Sequence, residues 1–87
     1  MFQKGNVILK YIMKIMKDVQ KEFEFIHGWD SIITRGGILV IDMPFDSMEV
    51  YEVEEEIQSI LEEMSLKWNT HFCYDMYNEV IKIYVLN

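Results

Sequence analysis

His71 and Cys73 are the residues whose types and spacing come closest to a chemical site. A spacing of two on a strand places imidazole and thiol on one face, where they could ligate a metal or form a base–nucleophile pair. His27 is the only other histidine, and two ligands are too few for a structural zinc site. A buried cysteine beside a surface histidine is the simpler interpretation. We therefore expect no catalytic residue, no metal and no cofactor.

The other polar residues match no catalytic motif. Gly36-Gly37 lacks the further glycines and the lysine of a phosphate-binding loop. Glutamates are abundant between residues 49 and 63, but catalytic carboxylates need a concave, partly desolvated setting that a solvated helix face does not provide. No spacing of oxygen ligands indicates a calcium loop. The sequence predicts that the protein is not an enzyme.

Composition and charge narrow the class of protein further. The 87 residues suit one domain, residues 1–87, and 51% of them are hydrophobic, too many for a disordered chain. A net charge of −7 argues against direct binding to nucleic-acid phosphates. A single cysteine suits a reducing compartment, and no apolar run is long enough for a membrane span. We expect a cytoplasmic protein that does not bind membranes.

The acidic segment that follows Pro44 is predicted to be an amphipathic helix over about residues 46–64. Asp46 stands at the expected N-cap with Glu49 three residues later, and Phe45 with Val50 matches a hydrophobic staple. The apolar positions repeat at helical spacing and predict one buried stripe: Val50, Val53, Ile57, Ile60, Leu61 and Met64. Nine acidic residues and no basic residue lie between Arg35 and Lys67. The exposed face of this helix is therefore strongly acidic.

A first amphipathic helix is predicted over about residues 7–24, with its N-cap at Gly5-Asn6. Apolar residues gather on one side of it: Ile8, Ile12, Ile15, Met16, Val19 and Phe23. Lysines line the other side: Lys10, Lys14, Lys17 and Lys21. A basic helix face can contact a membrane surface or an acidic partner, and it can equally be an ordinary solvated face.

Two β-hairpins complete the predicted elements. The first covers about residues 29–43, with strands Trp29–Arg35 and Ile38–Met43 joined by a two-residue turn at Gly36-Gly37. The second covers about residues 66–86, with one strand over 66–74, a loop over 75–79 and a β-branched strand over 80–86.

The order of elements is therefore α-β-β-α-β-β, one helix and one hairpin used twice. Neither half is stable alone, so we expect an α+β two-layer sandwich: a four-stranded antiparallel sheet with two helices on one face. The strand order stays open. Two helices cover only one sheet face, and the other face is predicted to keep apolar residues that could join a second copy: Trp29, Ile38, Val40 and Tyr84. A slip of one residue in the face assignment would reverse that expectation.

Size, acidity and charge layout give the chain a class-level likeness to known proteins. It has no alanine and seven lysines to one arginine, a bias typical of an AT-rich genome. The acidic residues that carry the likeness are Asp42, Asp46, Glu49, Glu52, Glu55, Glu56, Glu62 and Glu63. In these respects the chain resembles small phage-encoded inhibitors such as anti-CRISPR proteins and uracil-DNA glycosylase inhibitors. The lysine-bearing first helix departs from a pure DNA mimic.

The resemblance implies a partner and a mode of action. Inhibitors of this class occupy a basic nucleic-acid groove of their target, so the acidic helix face would bind a host protein with a basic nucleic-acid-binding surface, in the host cytoplasm. A structural or regulatory homodimer joined through the outer sheet face is the alternative from the residues alone. A small enzyme or metal protein that uses His71 and Cys73 is the third hypothesis. The acidic face can also be an ordinary solvated face that binds nothing.

Overall fold

The computed structural model describes residues 2–42 and 48–86, with side chains from Ile8 onward in the first helix. Six elements follow one another: α1 (Phe2–His27), β1 (Ser31–Ile33), β2 (Leu39–Asp42), α2 (Val50–Trp68), β3 (His71–Tyr77) and β4 (Val80–Leu86). This is the predicted α-β-β-α-β-β order, in an α+β fold. Within the described residues, neither helix combines the length and apolarity needed to cross a membrane.

The four strands form one antiparallel sheet in the order β1-β2-β4-β3. The second strand of each hairpin lies in the middle, where Leu39 pairs with Ile83 and Ile41 pairs with Ile81. The two hairpins therefore meet through their second strands, and their first strands, β1 and β3, become the two sheet edges.

The core lies between the sheet and the two helices, which pack on one face as predicted. Alternate residues of the central strands point toward the helices, and Leu39, Ile41, Ile81 and Ile83 are fully buried. From α1 the core receives Ile15, Met16, Val19 and Phe23. From α2 it receives Val53, Ile57, Ile60, Leu61 and Met64. The predicted apolar stripes are thus confirmed, except that Val50 and Ile8 are about half exposed.

The first helix is longer than predicted at both ends. It begins at Phe2, so Gly5-Asn6 lies inside the helix and is not its N-cap. A helical glycine costs only about 1 kcal/mol, and the apolar periodicity of the following turns outweighs that cost. At the other end the helix runs to His27, and Gly28 adopts a positive φ of 70° while its N–H donates to the Glu24 carbonyl.

The first hairpin has shorter strands and a longer turn than predicted. Its loop is residues 35–37, not a two-residue turn, because the Gly37 N–H donates to the Thr34 carbonyl and the Thr34 N–H donates to the Ile38 carbonyl. Gly37 has φ +82°, the geometry of a tight turn followed by a bulge. The predicted ends of this hairpin at Met43 and Pro44 lie outside the described residues.

The prediction that Trp29 lies on the outer face of the sheet is wrong. Trp29 lies in the core with 8% of its surface exposed, not on the open side of the sheet. Its ring stacks on Phe23 at a centroid distance of 5.8 Å and on His27 at 4.4 Å. Ser31 pairs with Ile41, whose side chain points into the core, and Trp29 lies two residues before Ser31 on that same side of the chain. The predicted face assignment was therefore wrong by one residue at Trp29.

The second helix starts and ends later than predicted. Its N-cap is Glu49, in extended conformation and without a side-chain cap hydrogen bond, so Glu49 is not the third residue of a capping box. Asp46 and Phe45, the predicted cap and staple, lie outside the described residues. The helix continues to Trp68, where Asn69 adopts φ 49° and its N–H bonds to the Ser65 carbonyl.

The segment over residues 66–68 was predicted as strand because its apolar residues alternate. It is helical because Trp68 packs back on α1, with its ring edge-on to Tyr11 at 6.2 Å. The next strand accordingly begins at His71 and extends through the predicted loop to Tyr77. A two-residue turn, Asn78-Glu79, joins it to β4, whose predicted boundaries are confirmed.

Candidate partner-binding surface

The acidic side chains of α2 divide into two groups that face different neighbours. Glu56 faces α1, because its Oε2 atom lies 3.1 Å from Nε2 of His27. Glu52 and Glu63 lie one and two turns from Glu56 on the same side of the helix. We call these three residues the acidic stripe. Glu63 is exposed and Glu52 is half-buried.

His27 is the basic residue at the edge of the acidic stripe. Its ring is held between Trp29, on which it stacks, and the carboxylate of Glu56. The Nε2 atom lies within ion-pair distance of Glu56 but is not aligned for a hydrogen bond, and within the described residues it has no other polar partner. The other two residues of the acidic stripe form no ion pair within the part of the chain that the structure describes.

The second group faces β3 and is built around Tyr74. The Tyr74 hydroxyl donates to Glu54 Oε1 across 2.8 Å and accepts a hydrogen bond from Gln58 Nε2, also at 2.8 Å. Burial is the main factor that raises the pKa of Tyr74, and the hydrogen bond with Glu54 raises it further against the opposing effect of Gln58. This network attaches the acidic helix to an edge strand of the sheet.

A shallow groove of about 250 Å³ continues this side of α2 along the edge of the sheet. Leu61 and Phe72 supply its apolar walls, and Glu62 supplies a carboxylate. Its remaining lining residues are polar or aromatic: Gln58, Ser65, His71 and Tyr74. The groove places backbone, apolar surface and negative charge side by side.

The structure brings together most of the acidic residues predicted for the partner-binding face, but not all of them. Glu55 and Glu62 are exposed on α2, Glu62 on the side that faces β3, and Glu49 is exposed at the N-cap that precedes the helix. Asp42 is exposed at the end of β2 and points to the sheet face opposite the helices, because its neighbour Ile41 points into the core. Asp46 lies outside the described residues.

The opposite charge is concentrated on α1. Lys10, Lys14 and Lys17 line an open groove with Arg35 from the first hairpin, over the apolar side chains Leu9 and Met13. This region is separate from the acidic stripe, so the helix layer is basic at one side and acidic at the other.

One ion pair joins the two helices across this charge division. Asp18 accepts hydrogen bonds from Lys67 Nζ at 2.7 Å and from Trp68 Nε1 at 2.8 Å. The hydrogen bond from Lys67 is the main cause that lowers the pKa of Asp18. It stabilises the end of α2 that the sequence predicted as strand.

The outer sheet face contains part of the predicted apolar patch. Val40 and Tyr84 are half-buried there, and Ile32 is 64% exposed beside Val40. Charged residues interrupt the patch, since Lys82 pairs with Val40 on one side and with Asp75 on the other. The Asp75 carboxylate raises the pKa of Tyr84, whose hydroxyl lies 3.4 Å from it. Ile38 is half-buried immediately before β2.

His71 and Cys73 both lie on β3, with His71 exposed and the free thiol of Cys73 half-buried opposite Tyr84. Within the described residues, no three histidine, cysteine or acidic side chains converge as a metal site would require.

No protein-family model, curated protein or solved structure matches this chain.

Sequence reasoning missed two residues of this surface, Glu54 and Tyr74. Glu54 lies one residue before the predicted binding residue Glu55, and nothing in its spacing indicates a partner twenty residues later in the chain. The only usable signal was the 54–58 spacing of a glutamate and a glutamine, which places both on one side of a helix.

Proposed function

We propose that this protein is a binding protein that docks its acidic α2 surface on a basic nucleic-acid-binding surface of a host protein and so inhibits it, as small phage-encoded inhibitors do. The observation that carries the proposal is the acidic stripe. Glu63 is exposed, Glu52 and Glu56 are half-buried beside α1, and within the described residues only Glu56 has an ion-pair partner. Such a surface is complementary in charge to a groove that binds phosphates.

The net charge of −7 and the charge division of the helix layer add to this support. A protein that mimics nucleic acid over one face needs only that face to be acidic, so the lysines of α1 are compatible with the mechanism. The acidic face would compete directly with nucleic acid for the target, and no catalytic step is required.

A matched pair of variants tests the proposal. Glu52→Gln with Glu63→Gln removes two charges from the acidic stripe, whereas Glu24→Gln with Asp30→Asn removes two exposed charges elsewhere. Wild-type protein and both variants would be used to capture proteins from a bacterial lysate at low salt, with identification by mass spectrometry. Each recovered protein would then be tested for competition between nucleic acid and this protein.

We expect recovery of a nucleic-acid-binding protein that the control variant retains and the stripe variant loses. The affinity between this recovered protein and the wild-type chain should fall steeply as salt is added, because exposed charges are screened within about 8–10 Å at physiological salt. Equal capture by the stripe variant, or an affinity that salt does not change, would contradict the proposal.

The outer sheet face supports a second candidate, a structural or regulatory homodimer. Beyond Ile32, the exposed residues Tyr77 and Leu86 lie on β3 and β4, and no helix within the described residues covers this side. A dimer should appear in analytical ultracentrifugation at concentrations of tens of micromolar and should dissociate on Ile32→Lys. A monomer of native compactness at those concentrations would exclude this candidate.

A further inference from the structure

The two edges of the sheet differ in how they are protected. The edge strand β1 has only three residues, and Gln20 of α1 donates its side-chain amide to the Ser31 carbonyl at 3.1 Å. The edge strand β3 has seven residues, HFCYDMY, without the lysine, proline or bulge that commonly protects such an edge.

The register determines which backbone groups of β3 face outward. In the first hairpin the Asp42 N–H donates to the Asp30 carbonyl, so the even-numbered residues of β2 bond to β1 and its odd-numbered residues bond to β4. The same alternation continues across the sheet. It directs the backbone N–H and C=O groups of four β3 residues toward β4: His71, Cys73, Asp75 and Tyr77. The type I′ turn at Asn78-Glu79 requires the same pattern.

The backbone N–H and C=O groups of Phe72, Tyr74 and Met76 therefore point to the free edge. Within the described residues, no hydrogen bond reaches any of them. These groups are spaced as the donors and acceptors of one more antiparallel or parallel strand.

The charges beside this free edge favour one kind of added strand over another. Glu54 and Glu62 lie on the helix side of β3 and Asp75 lies on its other side, whereas β3 itself has no lysine or arginine. A second copy adding through its own β3 would bring these acidic residues close to their equivalents. A cationic segment would instead be attracted by Glu54 and Glu62 on the helix side, since Lys82 lies opposite Asp75 on the other side.

We propose that the free edge of β3 binds an extended, lysine- or arginine-bearing segment of a partner protein by β-strand addition. The main chain of the segment bonds to the outward groups of Phe72, Tyr74 and Met76, and alternate side chains enter the groove against Leu61 and Glu62. The proposal rests on the proposed function and deepens it, since it names the form in which the basic partner is held.

The test uses the intact protein and a short fluorescein-labelled peptide of alternating lysine and valine as probe. Two control peptides have the same sequence, one with N-methylated valine amides and the other with N-methylated lysine amides. Methylation removes backbone donors and keeps the charge. Fluorescence anisotropy measures affinity, and amide hydrogen exchange by NMR measures protection of each residue in β3.

We expect one of the two methylated peptides to bind at least about tenfold more weakly than the parent, since several hydrogen bonds are lost together. The parent peptide should slow exchange at Phe72, Tyr74 and Met76 while leaving Cys73 and Asp75, already bonded to β4, unchanged. Equal binding of all three peptides, or no alternate protection in β3, would overturn the proposal. Protection of the same amides that rises with protein concentration alone would also overturn it, because a second copy would then occupy the edge.

The two proposals can fail separately. Partner capture that depends on the acidic stripe, without alternate protection in β3, would contradict strand addition and leave the proposed function standing. If the peptide adds to β3 as a strand but partner capture is unchanged by Glu52→Gln and Glu63→Gln, the proposed function would be contradicted and strand addition would stand.

Discussion

Tyr74 on the edge strand β3 donates its hydroxyl hydrogen to Glu54 on α2, with 2.8 Å between the two oxygens. The bond links the acidic helix to the strand whose backbone is open to a partner. It also gives the hydroxyl proton a structural role, because an ionised tyrosine could not donate to a carboxylate.

Tyr74→Phe should lower the free energy of unfolding by about 1 kcal/mol at pH 7, the typical contribution of one such hydrogen bond. The pKa of Tyr74 is raised in the folded protein above its ordinary value of 10.0. Its stabilising effect is therefore complete below about pH 10 and is lost as the pH rises through the folded value. Wild type should lose more stability than the variant as the pH rises above about 10, measured by denaturant unfolding. Tyr77→Phe, at an exposed residue of the same strand, is the control, and equal effects of the two substitutions would contradict the prediction.

Asp18→Asn should change how stability depends on acid. The pKa of Asp18 is lowered from its ordinary value of 3.8 by the hydrogen bond from Lys67. Its stabilisation is thus present above about pH 4 and is lost as the pH falls through the lower folded value. In acid titrations followed by circular dichroism, Asp18→Asn should begin from a lower stability and lose less of it below pH 4. Asp30→Asn, at an exposed residue, is the control, and the same change in acid dependence in both variants would contradict the prediction.

Alanine substitutions at the three turn glycines should distinguish the cost of backbone strain from the cost of steric overlap. At Gly37, φ is +82° and an added Cβ would lie 2.8 Å from Ile12 Cγ2, so Gly37→Ala should cost about 2–4 kcal/mol. At Gly28, φ is +70° with open space around it, so Gly28→Ala should cost about 1 kcal/mol. Gly36→Ala meets only Thr34 Oγ1 at 3.9 Å and should change stability by less than about 0.5 kcal/mol. Urea unfolding should reproduce this order, and equal losses at Gly37 and Gly28 would show that the overlap with Ile12 is relieved without cost.

Glu79→Gly should stabilise the protein. Asn78 and Glu79 both have positive φ, at 51° and 63°, and glycine is the preferred second residue of this turn type. Relief of the strained backbone should add about 1 kcal/mol to the free energy of unfolding, measured by thermal and denaturant unfolding. Glu79→Gln removes the charge but keeps the strain, and a gain as large in that variant would assign the effect to charge.

Local patterns in the sequence predicted those elements whose residue types repeat regularly along the chain. The apolar stripe over Val53–Met64 repeats every three to four residues, so its buried face follows from helical geometry alone. The strand β4 was predicted with its observed boundaries, because β-branched residues follow a turn there. Boundaries failed where a tertiary contact outweighed the local signal, as at Trp68, whose indole N–H bonds to Asp18 fifty residues earlier.

The acidity of α2 was equally visible in the sequence, since charge is a property of composition. The sequence did not indicate which residue each glutamate contacts in the folded protein. Glu56 faces His27 and Glu54 faces Tyr74 because the helix is rotated to bury its apolar stripe against the sheet. That rotation assigns each exposed carboxylate to one side or the other.

The sequence by itself determined the class of fold, the order of the elements and the sign of charge on each helix, because each depends on residues near one another in the chain. Only the tertiary structure decided that β2 and β4 meet in the middle, that β3 becomes a free edge, and that Trp29 belongs to the core. A strand's alternation specifies which side chains share a face, but it contains no information about which strand lies beside it. That choice depends on burying both helices over one continuous apolar face, a condition that only the whole chain satisfies.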